Sequence, residues 1–141
     1  MRDSRCRLTT GFSLVELCVV LALVGVLATI AWPSMQAQLQ RGRRADAVAA
    51  LMRVQVAQEG FRANNGLYAT QLQGLRGASS ARSGEGWYDI ELVADGPNRY
   101  EVRATARAGT VVASDTACAV MRLQVREGLA EFAPAAHCWN H

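Results

Sequence analysis

Hydrophobic and polar positions divide this chain into three stretches. Residues 17–32 carry no charge, and Thr29 is their one polar side chain apart from the thiol of Cys18. Apolarity on every face, without a helical or strand period, reads as a helix that belongs in lipid. Residues 12–32 number 21. As a helix they span about 31 Å, close to the roughly 30 Å hydrocarbon thickness of a bilayer.

Residues 34–63 change character and read as the continuation of that helix with one apolar side. Val48, Leu51, Met52, Gln55 and Val56 recur at three- and four-residue spacing, and Val54 and Phe61 extend the side. Asn64, Asn65 and Gly66 supply the residues that end helices. Between the two parts, Pro33 removes a helix hydrogen bond and Gly25 loosens the stretch before it. The expectation is a kink or local melting near Thr29 and Ile30. Pro33 equally marks a membrane exit, with Trp32 as interfacial anchor.

Residues 67–85 are irregular, with Gly74, Gly77, three serines and Gly84. They read as an exposed connecting loop, with Leu67 and Tyr68 packing at its start. Period-two alternation then takes over. Tyr88, Ile90 and Leu92 alternate with Asp89 and Glu91. After turn residues Asp95, Gly96, Pro97 and Asn98, Tyr100, Val102, Ala104 and Ala106 alternate with Glu101, Arg103, Thr105 and Arg107. Two more strands are expected at residues 119–125 and 129–133, joined at Arg126, Glu127 and Gly128. The fold class is α+β: one long helix, with a membrane half and an amphipathic half, on a four-stranded antiparallel sheet.

Composition narrows the function. The chain has 141 residues, a length of one domain, and a net charge of +3, and all 15 of its basic residues are arginine. The arginines are scattered among acids, so no broad nucleic-acid footprint emerges. Arg41, Arg43 and Arg44 form a short basic cluster that reads as a solvated face or headgroup contact; nucleic-acid contact and subunit pairing are the other readings. The two histidines lie at the tail, and there is no phosphate-binding glycine loop or nucleophile motif. The chain reads as no enzyme, and no cofactor is expected.

Arg2, Arg5 and Arg7 precede the apolar run and orient the N-terminus toward the cytoplasm, with the rest exported. A cleaved secretory signal peptide shares this layout. Against it stand Glu16 at the head of the apolar run and the lack of an A-x-A site after it. A plain single-pass anchor explains the apolarity but not Glu16. A carboxylate in a membrane segment costs roughly 2.5–3.5 kcal/mol on insertion scales, so it marks a function.

Gly11, Phe12, Ser13, Leu14, Val15 and Glu16, followed by an apolar helix with Gly25 and Pro33, resemble the N-terminus of type IV pilins and pseudopilins. The resemblance implies cleavage by a prepilin peptidase between Gly11 and Phe12, with N-methylation of Phe12. It also implies that Glu16 helps recruit the subunit into a filament; a cleaved amine at Phe12 facing Glu16 of a neighbouring subunit is the physical expectation for that role. Many such leaders place Lys or Arg just before the glycine, where this one has Thr9 and Thr10.

The resemblance orders the chain as a leader (1–11), an assembly helix (12–33), an amphipathic half (34–66), and a loop and sheet with a C-terminal disulfide loop (67–141). Cys118 and Cys138 are the two cysteines of the expected exported part and read as one disulfide. A metal site with His137 or His141 is the alternative, short of a zinc pattern in ligand number and spacing. A C-terminal loop ending in Cys138 and Trp139 resembles minor pilins of the PilE type.

The leading expectation is therefore a type IV minor pilin. Its implied partners are other pilin subunits, prepilin peptidase and the inner-membrane assembly machinery. Nucleic acid enters only through a DNA-uptake pilus; adhesion and twitching motility are the other roles. The precursor would lie in the inner membrane with its C-terminal part in the periplasm, and then in the pilus fibre. The alternatives are a type II secretion pseudopilin and a membrane-anchored periplasmic binding protein.

Overall fold

A computed structural model describes residues 13–139. The chain divides into two units, Met1–Ala37 and Gln38–His141. One helix, α1 (Leu14–Asn65), contributes to both.

In the first unit α1 is apolar and fully exposed, with Leu14, Leu17, Leu23 and Ile30 all open. It is the one helix among the described residues long and apolar enough to cross a membrane. Thr29 and Ile30 are helical and Pro33 lies inside the helix, so the chain does not melt there. Hydroxyls ease the disturbed turn: Thr29 Oγ1 donates to the Val26 carbonyl at 2.7 Å, and Ser34 Oγ to that of Ala31 at 2.8 Å.

In the second unit the helix packs on an antiparallel sheet of β1 (Tyr88–Ala94), β2 (Arg99–Ala106), β3 (Val120–Arg126) and β4 (Leu129–Ala133), in the order β1-β2-β3-β4. The expected alternation holds: Tyr88, Ile90, Tyr100, Val102, Ala104, Met121, Leu123 and Val125 face the core. The β1–β2 register pairs Leu92 with Val102, and that of β2–β3 pairs Val102 with Leu123. Cys118 ends the short 3₁₀ turn Thr116–Cys118 just before β3.

The buried helix face differs from the expected one. Ala47, Ala50, Leu51, Val54 and Gln58 are buried, whereas Val56 is 74% exposed. The stripe is rotated because alanine, weak as a hydrophobic signal, lets the helix backbone approach a core that holds Tyr68, Tyr88 and Tyr100. At the C-terminal end, the Gly66 N–H bonds the Arg62 carbonyl at 2.8 Å, with Gly66 at φ +75°. This left-handed stop suits glycine.

The connecting segment is less exposed than its composition suggests. Ala69, Leu72, Leu75 and Ala78 are all buried, one residue in every three. The buried Gln58 amide holds its start in a two-point bond, donating to the Ala69 carbonyl at 2.9 Å and accepting from the Ala69 N–H at 2.8 Å. Its end runs beside β1. Ile90 N–H bonds the Ala81 carbonyl, Ser83 N–H bonds the Tyr88 carbonyl, and Arg82 bridges to Asp89.

Candidate functional site

The features that sequence singles out fall in two places. The first is the apolar end of α1. Glu16 lies in the first helical turn, where a carboxylate is favoured by the unpaired backbone N–H groups. It is exposed, as are Leu14, Val15 and Leu17 around it. Nothing comes within 4 Å of a Cβ built at Gly25, so that glycine meets no packing partner among the described residues. Cys18 is a free, exposed thiol. Gly11 and Phe12 lie outside the described residues. An apolar helix with one carboxylate at its head has two chemical options: burial in lipid, or burial against other such helices. Burial of the carboxylate then requires a cationic partner.

The second place is the C-terminal loop. Cys118 and Cys138 are joined by a disulfide (S–S 2.00 Å, Cα–Cα 5.6 Å), and both are buried. His137 sits beside it, with Nε2 3.5 Å from the Cys138 sulfur. Ligand atoms of Cys118, His137 and Cys138 cluster within 4.8 Å. The two sulfurs are already bonded to each other, so the trio offers a metal only the imidazole. His141 lies outside the described residues. Trp139 packs edge-on against Phe132 with ring centroids 4.8 Å apart, and its indole N–H donates to the Ala133 carbonyl at 3.2 Å.

Arg41 is exposed, as expected of a solvated face, but Arg43 and Arg44 are half-buried and partnered. The Arg44 guanidinium holds both Asp115 oxygens, Nε to Oδ2 at 2.6 Å and Nη2 to Oδ1 at 2.9 Å. Its third contact runs from Nη1 to the His137 carbonyl at 3.2 Å. The hydrogen bond to Asp115 raises the Arg44 pKa above its ordinary value, against the opposing effect of burial. Arg43 lies over the Trp87 ring, 5.6 Å from its centroid, a cation–π contact. Sequence reasoning missed the Arg44–Asp115 pair because 71 residues separate its members. No local spacing encodes such a contact.

A helix with an exposed apolar head and an antiparallel sheet closed by a C-terminal disulfide define a pilin-like protein. The comparisons agree. A family model described as "Prokaryotic N-terminal methylation motif" matches residues 6–32. A second, "Type IV minor pilin ComP, DNA uptake sequence receptor", matches residues 33–122. The chain belongs to this type IV minor pilin ComP family. It is 33% identical over 75 residues to "Type II secretion system core protein G" of Klebsiella pneumoniae, covering 53% of this chain and 54% of that one. It is 30% identical over 66 residues to the protein of the same name from Pectobacterium carotovorum subsp. carotovorum, covering 47% and 42%. The chain spans about half the length of the curated relatives it matches.

Proposed function

We propose that this chain is a processed subunit of a type IV pilus, a minor pilin that joins other pilins through α1. The observation that carries the reading is the coincidence of the methylation-motif match with the exposed apolar half of α1, residues 14–37, whose one acid is Glu16. Cleavage between Gly11 and Phe12 would create a cationic amine one helical turn from Glu16. That amine, N-methylated on Phe12, would pair in the fibre with Glu16 of a neighbouring copy. An ion pair offsets desolvation only when geometry is right, so the pair would report correct docking. Prepilin peptidase and an inner-membrane assembly machinery are the partners this route requires, with the sheet-bearing unit in the periplasm before assembly.

DNA contact is the finer form of this reading. The matching family is described as a DNA uptake sequence receptor. On the exposed sheet face Arg99 lies opposite Arg126 and Arg103 opposite Arg122. Like charges directly opposite destabilise a sheet, and a phosphate between them would relieve the repulsion. Glu101 pairs with Arg103 and tempers this surface. The relatives named for type II secretion favour a second reading, a pseudopilin that shares the N-terminal chemistry.

Mass spectrometry of the mature chain tests the shared step. A methylated N-terminal Phe12 is expected; an intact Met1 would overturn the processing and support a membrane-anchored binding protein. Immunolabelling of sheared surface fibres then separates a pilus from a secretion pseudopilus.

A further inference from the structure

Three cavities of about 380, 370 and 530 Å³ follow one another along α1. The first two share Arg53 and Gly77, and the last two share Val56, Ala57 and Arg76. Together they form one groove between the helix and the connecting segment, on the β1 side, where Ile90 lines it. Among the described residues lining the groove none is acidic, while Arg53, Arg76 and Arg82 line it; the Asp46 carboxylate stands near its Arg53 end, 3.4 Å from a Cβ built at Gly84. Arg53 and Arg76 make no ion pair among the described residues, and Arg82 reaches Asp89 only at 3.9 Å, in solvent. Met52, Val56 and Phe61 supply apolar surface. Three exposed cations beside open apolar surface suit an occupant that carries carboxylates and apolar side chains.

The other edge of the sheet carries such an occupant. The connecting segment runs beside β1 at residues 81–83, whereas β4 ends the sheet on the far side. Leu129 is 75% exposed and Phe132 47%. Glu127 and Glu131, exposed beside them, make no ion pair among the described residues. Glu127 also stands in the left-handed region, at φ 52°, in the two-residue turn with Gly128. Asn or Gly suits that backbone better, so the carboxylate is held there at a conformational cost.

We infer that the β3–β4 hairpin of one copy docks into this groove on a second copy. Its glutamates face the groove arginines, and Leu129 covers the apolar surface around Val56. The inference rests on the filament-subunit reading and adds a contact between sheet-bearing units, separate from the apolar helix. Two different patches on opposite edges make a head-to-tail contact, which propagates into an open helical array unless it closes into a ring.

The test uses the full chain in cells, with Cys18→Ser and the native disulfide kept. Val56→Cys and Leu129→Cys together should give a ladder of disulfide-linked multimers on mild oxidation, absent with either alone. Glu127→Asn with Glu131→Gln should lower ladder yield about tenfold without lowering folding stability, since Asn relieves the turn. Arg53→Glu with Arg76→Glu should abolish the ladder, and adding Glu127→Arg with Glu131→Arg should restore it. Filaments without a ladder would overturn the contact and leave the pilin reading standing. A charge-independent ladder would also overturn it. A charge-dependent ladder without filaments would support the contact and overturn the filament reading.

Discussion

Arg44 on the helix and Asp115 before the disulfide meet in a two-point bond, with side chains only 13% and 12% exposed. The same guanidinium reaches the His137 carbonyl next to Cys138. One helical arginine thus anchors both flanks of the Cys118–Cys138 loop. Arg44→Ala leaves Asp115 half-enclosed without its cation and should cost about 3 kcal/mol. Urea denaturation of the variant measures it. Arg44→Ala with Asp115→Ala should cost less than the two single losses added together.

The disulfide closes a loop with a sequence separation of 20. Cys118→Ala with Cys138→Ala should cost about 3 kcal/mol on the loop-entropy account. For a domain of this size that is a melting shift of about 15 °C, readable by circular dichroism. Fold loss should begin at β4 and the C-terminal turn, visible as faster hydrogen exchange there before β1 and β2.

The buried Tyr100 hydroxyl has no hydrogen-bond partner among the described residues, and burial pushes its pKa well above the ordinary tyrosine value of about 10. Tyr68 and Tyr88 shift the same way, also chiefly by burial. The neutral form is favoured in the folded state. The stability this contributes is therefore complete below the unfolded value near pH 10 and is lost as pH rises through the folded value. Urea midpoints should hold level to about pH 9 and fall above pH 10. Tyr100→Phe should leave the neutral-pH midpoint within about 1 kcal/mol and blunt the alkaline fall.

Val56 separates the observed helix face from the expected one, whereas Val54 belongs to both. Val54→Ala removes two buried methyl groups and should cost about 2 kcal/mol. Val56→Ala should stay within about 0.5 kcal/mol, because its side chain is open. Equal costs for the two would place the core face where the apolar spacing alone puts it.

Glu16→Ala should leave cleavage at Gly11 and Phe12 intact and reduce incorporation into filaments. Comparing mature chain in membranes with chain in sheared fibres reads the two steps apart. Normal incorporation would remove Glu16 from the assembly mechanism. Glu16→Gln should behave like Glu16→Ala, since the role assigned is charge and not shape.

The sheet was legible in the sequence because alternation is a local signal with a period set by the backbone. Tyr100, Val102 and Ala104 face one way whatever lies elsewhere in the chain. The apolar head of α1 was legible for a similar reason: unbroken apolarity needs no partner to be recognised. The helix face was read about a third of a turn off, because Ala47 and Ala50 are buried for their small size and not for hydrophobicity. The period of three in Ala69, Leu72, Leu75 and Ala78 was there to be read, yet glycines and serines masked it.

Sequence by itself determined what each segment is: an apolar helix with Glu16 at its head, an amphipathic continuation, four alternating strands, and two cysteines to join. These follow from periodicities of a few residues. Tertiary structure decided who meets whom. It set Arg44 against Asp115, the Gln58 amide against Ala69, and Arg53 and Arg76 in a groove at one edge of a sheet whose other edge carries Glu127 and Glu131. Contacts across tens of residues are specified by how the whole core packs. No local pattern carries that information.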